Sequence, residues 1–62
     1  MIPVNSTSIR AIGHDGSTLF VQFHTSDTIY CHLGAPYSVF VELMQAASKG
    51  RYYNEHIRGR YR

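Results

Sequence analysis

The sequence predicts an α+β domain: a three-stranded antiparallel meander, then an amphipathic helix, then a short C-terminal helical turn (βββα-α). Three observations carry that expectation. Leu19, Val21 and Phe23 alternate with Phe20, Gln22 and His24, the period-2 pattern of a half-buried strand. Asp15-Gly16 and Thr25-Ser26-Asp27 bracket that strand with turn-forming residues. After Pro36 the period lengthens, and Val39, Phe40, Leu43, Met44 and Ala47 fall on one helical face.

Taken in order, residues 6–14 read as the first strand, after an N-terminal lead that contains Pro3. Asp15-Gly16 predicts a type I′ hairpin turn, whose two central positions both need positive φ. Thr28 to Leu33 is the third strand, with Ile29, Cys31 and Leu33 on one face and Thr28, Tyr30 and His32 on the other. The alternation leaves open which of these faces is buried. Short connections make the strands of the 6–33 segment antiparallel neighbours in sequence order. Pro36 suits a first helical turn, where its missing N–H has no bond to lose. The helix is expected over Pro36 to Ser48, in a segment 36–49, with Ser38, Glu42, Gln45 and Lys49 outward and Gly50 as the left-handed residue that ends it. In the remaining segment, 50–62, Asn54 is a candidate cap, Tyr53 and Ile57 stand at i,i+4, and Gly59 is a breaker. That pattern predicts one helical turn and an extended tail. The expected core is Ile12, Leu19, Val21, Phe23, Phe40, Leu43, Met44 and Ala47.

Composition bounds the function. The 62 residues make one domain (1–62), with an ordinary 44% apolar fraction and only 16% charged residues. The longest apolar runs, such as Val39-Phe40-Val41, are far too short for a membrane span or a signal-peptide core. A single cysteine, Cys31, excludes an internal disulfide and points to a reducing, cytoplasmic setting. A core of this size supplies only about 3–5 kcal/mol, which makes a homodimer or a protein partner an expectation from the outset.

Catalysis and metal binding find little support. Cys31 adjoins His32, but neighbouring strand residues point to opposite faces, so the pair does not form a nucleophile and its base. Cys31 reads instead as a small buried apolar residue. No phosphate loop, dinucleotide fingerprint or nucleophile elbow occurs, and the carboxylates are scattered. His14, His24, His32, His56 and Cys31 lack the spacings of a zinc site. Neither enzymatic activity nor a cofactor nor a metal is expected.

Charge asymmetry is more informative than the net +2. Residues 1–48 carry Arg10 against Asp15, Asp27 and Glu42, whereas residues 49–62 carry Lys49, Arg51, Arg58, Arg60 and Arg62 against Glu55 alone. Tyr52, Tyr53, His56 and Tyr61 are interleaved with those cations. Cations neutralise phosphates and rings stack on unpaired bases, so the segment predicts contact with RNA or another single-stranded nucleic acid. On an extended tail Arg58, Arg60 and Arg62 would project to one side at about 6.5–7 Å intervals. The competing reading packs Tyr53 and Ile57 against the sheet, which we favour, and leaves the arginines solvated. Tyr30 and His32 add a second candidate surface. With the helix on the Leu19/Val21/Phe23 side, they would join Phe20 on an open aromatic face suited to bases, to a protein partner or to a second copy.

The chain resembles the KTSC domain, a short module named from the C-terminus of some lysyl-tRNA synthetases and also found as small bacterial and phage proteins. The matching residues are Ser8-Ile9, Ala11-Ile12-Gly13, Leu19-x-Val21-x-Phe23, Tyr30-x-His32, Pro36, Val39-Phe40, Ala47 to Asn54, His56-Ile57-Arg58 and Tyr61. The Ser48-Lys49-Gly50-x-Tyr52-Tyr53-Asn54 run with Ile57-Arg58 is the specific part. Two departures stand out: the family's central Tyr-x-Tyr is Tyr30-Cys31-His32 here, and the aromatic before the Asp15-Gly16 turn is His14. The resemblance implies a compact α+β fold and carries almost no catalytic information. Together these readings nominate Tyr30, His32, Lys49, Arg51, Tyr52, Arg58, Arg60 and Arg62 for nucleic-acid contact. The alternative expectation is a protein-interaction or oligomerisation module, for instance a phage-encoded modulator of a host protein.

Overall fold

Strand pairing begins earlier in the chain than the alternation indicates. The computed structural model describes residues 1–61, so Arg62 lies outside the described residues. Ile2–Pro3 (β1) pairs with Ile9–His14 (β2), which pairs with Thr18–Phe23 (β3), which pairs with Ile29–Leu33 (β4). The result is a four-stranded antiparallel sheet in the order β1-β2-β3-β4, one strand more than the meander expected. The extra strand is the lead with Pro3, and proline is tolerated there because β1 is an edge. Residues 6–8 are not strand. Ser6 Oγ instead accepts the backbone N–H groups of Ser8 and Ile9 at 3.3 and 3.2 Å, and the His24 ring bonds the Ser6 carbonyl at 2.9 Å.

The β2–β3 hairpin turns one residue later than predicted. Asp15 pairs across the turn with Thr18, and Gly16-Ser17 is the loop. Only Gly16 has positive φ, at 104°, so a glycine-first turn replaces the type I′ geometry. Asp15 Oδ1 accepts the N–H groups of Ser17 and Thr18 at 3.0 and 2.8 Å. Those two bonds hold its carboxyl below the ordinary carboxylate range. His14 braces the same turn. Its Nδ1 accepts the Gly16 N–H at 2.9 Å, so Nε2 carries the proton and donates to the Ala35 carbonyl at 2.7 Å.

Two helices cover one sheet face. Tyr37–Gln45 (α1) ends well before Ser48, and Lys49–His56 (α2) is a second full helix where a single turn was expected. Ala46 and Ser48 are extended, and the Lys49 ammonium donates to the Ala46 carbonyl at 3.1 Å at the end of α1. Gly50 therefore does not terminate α1 but lies inside α2. Its missing side chain lets α2 approach the Ser8 hydroxyl, where an added Cβ would collide. The tail is not extended either. Gly59, with φ 78°, turns the chain after Ile57, and the Arg58 and Arg60 N–H groups bond Tyr53 and Ile57 carbonyls.

Ile9, Ile12, Leu19, Val21, Ala35, Phe40, Leu43, Tyr53 and Ile57 form the buried core, with Phe23 and Met44 packed at its margin. Ala47 is exposed, because α1 has ended before it. Tyr53 and Ile57 are structural, as the i,i+4 spacing indicates. Cross-strand register corrects the proposed aromatic face. Leu19 lies opposite His32 and Val21 opposite Tyr30, so all four side chains share the helix-covered face. His32 is buried, while Cys31, opposite Phe20, is exposed on the other side. Cys31 and His32 do face opposite ways, but it is His32 that enters the core. No helix among the described residues is long and apolar enough to cross a membrane.

Candidate nucleic-acid interface

A cleft of about 260 Å³ opens where the end of the β3–β4 pair meets the C-terminal half of α2. It is lined by Phe23, Tyr30, Tyr53, Asn54 and Arg58. Each residue arrives by a local rule. Tyr30 stands opposite Val21, which makes Phe23 its diagonal neighbour on the same face. The ring centroids are 5.6 Å apart and meet edge to face at 74°. Tyr53 is carried to the other side of Phe23 by α2, at 5.1 Å and 81°. Asn54 follows Tyr53 on the rim. Arg58 stands one turn beyond Asn54, its position fixed by the N–H bond to the Tyr53 carbonyl at 2.9 Å.

The floor of the cleft is anchored in the core. Tyr53 Oη lies 3.0 Å from His32 Nε2 inside the core, and the two rings pack at 5.3 Å. Burial pushes the Tyr53 phenol above its ordinary pKa, Arg58 opposes that shift, and Tyr30 adds to it. The rim is open, with Tyr30 45% exposed and Asn54 and Arg58 also exposed. Among the described residues Arg58 has no carboxylate partner, since the ion pairs join Arg10 to Asp27 and Arg51 to Glu55. The cleft thus combines apolar rings, an amide with a donor and an acceptor, and an unneutralised guanidinium.

The nominated residues do not form one surface. Tyr30 and Arg58 come together, and His32 lies beneath them as a buried support. Lys49 lines a different hollow of about 190 Å³, formed by residues 5–8 and 47–50, with no aromatic platform. Arg51 is paired along the helix with Glu55 at 3.2 Å. Tyr52 donates its hydroxyl to Glu42 at 2.8 Å, tying α2 to α1; burial first and that bond second raise its phenol pKa. Arg60 is exposed in the turn after α2, and Arg62 lies outside the described residues. Phe23, Tyr53 and Asn54 were not among the nominated residues. The i,i+4 spacing of Asn54 and Arg58 was the available signal, and it becomes useful only once α2 is known to extend through Asn54.

Comparison with known proteins adds the family context. The KTSC domain family model matches residues 5–61. A crystal structure of a KTSC domain protein from Yersinia pestis is similar over 97% of this chain and 86% of that one, at 35% identity and a TM-score of 0.89. No curated protein sequence matches.

Proposed function

We propose that this chain, which belongs to the KTSC domain family, is a non-catalytic cytoplasmic domain that binds single-stranded nucleic acid, RNA first, at the Tyr30–Arg58 cleft. The observation that carries the reading is the convergence of Phe23, Tyr30 and Tyr53 with Asn54 and Arg58 around one open hollow. An unpaired base entering there stacks against the exposed Tyr30 ring, an interaction of about 1–3 kcal/mol. The Asn54 amide meets the base edge with one donor and one acceptor. Arg58 contacts the adjoining phosphate, and Arg60 in the same turn contacts the next. A duplex keeps its bases stacked inward, so it offers the cleft nothing to stack.

Anisotropy titration of short labelled RNA and DNA, single- and double-stranded, tests the proposal. Single strands should bind and duplexes should not. Absence of binding to every oligonucleotide at low salt would refute it and leave the protein-interaction module as the reading.

A further inference from the structure

The two edges of the sheet, β1 and β4, are protected very differently. β1 has two residues and contains Pro3, and shortness and proline both keep an edge from recruiting another strand. β4 runs through Ile29-Tyr30-Cys31-His32-Leu33 with no proline and no formal charge. Its register against β3 is unbroken from Gln22↔Ile29 to Thr18↔Leu33, so no bulge bends it away.

The hydrogen-bond phase tells which way the edge faces. Gly34 N–H donates to the Ser17 carbonyl at 3.0 Å, just beyond the Thr18↔Leu33 pair. Bonded pairs alternate in an antiparallel ladder, so Leu19/His32 and Val21/Tyr30 are the pairs that exchange bonds. Ile29, Cys31 and Leu33 therefore direct their backbone N–H and C=O groups away from β3. Their side chains lie on the face without helices, where Ile29 is 47% and Leu33 61% exposed.

We infer that β4 pairs antiparallel with β4 of a second copy about a two-fold axis at Cys31, joining two four-stranded sheets into one. A row of outward backbone donors and acceptors, met only by the weak 4.0 Å contact of the Cys31 thiol with the Ile29 carbonyl among the described residues, calls for another strand, and this strand complements its own reverse. Two-fold pairing sets Ile29 opposite Leu33 of the other copy, Tyr30 opposite His32, and Cys31 opposite its equivalent. Every outward backbone group then meets a partner, and large apolar side chains meet large apolar side chains. No like charges face each other, because the strand carries none. The area sets the strength. A standard interface covers about 800 Å² per partner, roughly a fifth of the 4029 Å² surface. A five-residue edge covers less, so the pairing is reversible and depends on concentration. The side chains of Ile29, Cys31 and Leu33 are not part of the cleft lining, whereas Tyr30 belongs to both the strand and the cleft, so the test is read on association of the chain alone, without oligonucleotide.

Sedimentation of the whole chain under reducing conditions, from micromolar to millimolar concentration, should give a monomer–dimer equilibrium. Leu33→Lys, at an exposed side chain, should weaken it by at least about 10-fold. Cys31→Pro removes an outward N–H and should abolish dimers. A monomer at every concentration would overturn the inference, as would a dimer indifferent to Leu33→Lys. Where circular dichroism finds Cys31→Pro unfolded, the Leu33→Lys result alone decides.

Discussion

Tyr53 and His32 meet in the core through a 3.0 Å bond between Oη and Nε2, and His32 Nδ1 has no partner among the described residues. That contact joins α2 to β4 beneath the cleft. It also explains why a polar ring sits opposite Leu19 in a core otherwise filled by aliphatic and aromatic side chains.

Tyr53→Phe keeps the ring and removes the hydroxyl, leaving both nitrogens of a buried imidazole without partners. The cost should be about 1–3 kcal/mol, measured by urea denaturation. The alkaline side has a definite sign. A phenol pKa raised by folding gives stability that is present below the unfolded value of about 10 and is lost as pH rises through the folded value. Tyr53→Phe should therefore flatten the alkaline fall in stability. The flattening is partial, because Tyr52 is raised too. A variant as stable as the parent at neutral pH would mean the bond contributes nothing.

Leu43 is fully buried, facing the sheet from α1. Leu43→Ala should cost about 2–5 kcal/mol, against the roughly 3–5 kcal/mol that a core of this size supplies. The thermal melting midpoint followed by circular dichroism should then fall steeply. Unchanged thermal melting would contradict the packing of α1.

Gly50 and Ser8 form a testable pair. Alanine inside a helix is better than glycine by roughly 0.5–1 kcal/mol, but here its Cβ meets the Ser8 hydroxyl. Gly50→Ala should deliver that gain in a Ser8→Ala background and noticeably less in the parent. A double-mutant cycle reads the difference directly. Equal effects in both backgrounds would remove the close approach of α2 to residue 8.

Much of this fold was legible from local pattern. The alternation at Leu19, Val21 and Phe23 marked β3 with its buried face, and the i,i+4 pair Tyr53 and Ile57 marked the packed side of α2. What escaped was decided by tertiary partners. β1 exists because Ile2 and Pro3 find Ile12 and Ala11, and two residues carry no periodicity. The apolar pattern ran on to Ala47, yet α1 stops at Gln45 so that α2 can bring Tyr53 and Ile57 back to the sheet. The parity of β4 was the costliest ambiguity, since one residue of register exchanges the faces of Cys31 and His32. It separated Tyr30 from an imagined open face with Phe20 and placed it beside Phe23. The candidate site was legible only in Tyr30 and Arg58, because its other walls depend on that parity and on the length of α2.

Asp15 should govern part of the acid sensitivity. Its folded pKa is lowered by the Ser17 and Thr18 N–H groups. The associated stability is present above the unfolded carboxylate value, about 3.9, and is lost as pH falls through the folded value. Asp15→Asn keeps an acceptor oxygen and cannot titrate. Melting temperatures between pH 2.5 and 6 should fall less steeply for the variant. Parallel curves would place the acid-labile group elsewhere.

Tyr30 and Arg58 should separate stacking from charge at the proposed nucleic-acid interface. Both are exposed at the rim, so replacing either should leave the fold intact. With two phosphate contacts, from Arg58 and Arg60, single-strand affinity should drop about 7-fold between 50 and 200 mM salt, from a slope near −0.7 per contact. Arg58→Ala should lower affinity at low salt and reduce that drop to about 3-fold. Tyr30→Ala should weaken binding by about 10-fold while leaving the drop unchanged, because stacking releases no counterions. Tyr30→Phe, which keeps the ring, should bind nearly as well as the parent. If Tyr30→Ala and Arg58→Ala altered affinity and salt slope in the same proportion, a diffuse cationic surface would account for the binding, and the cleft would have no part in it.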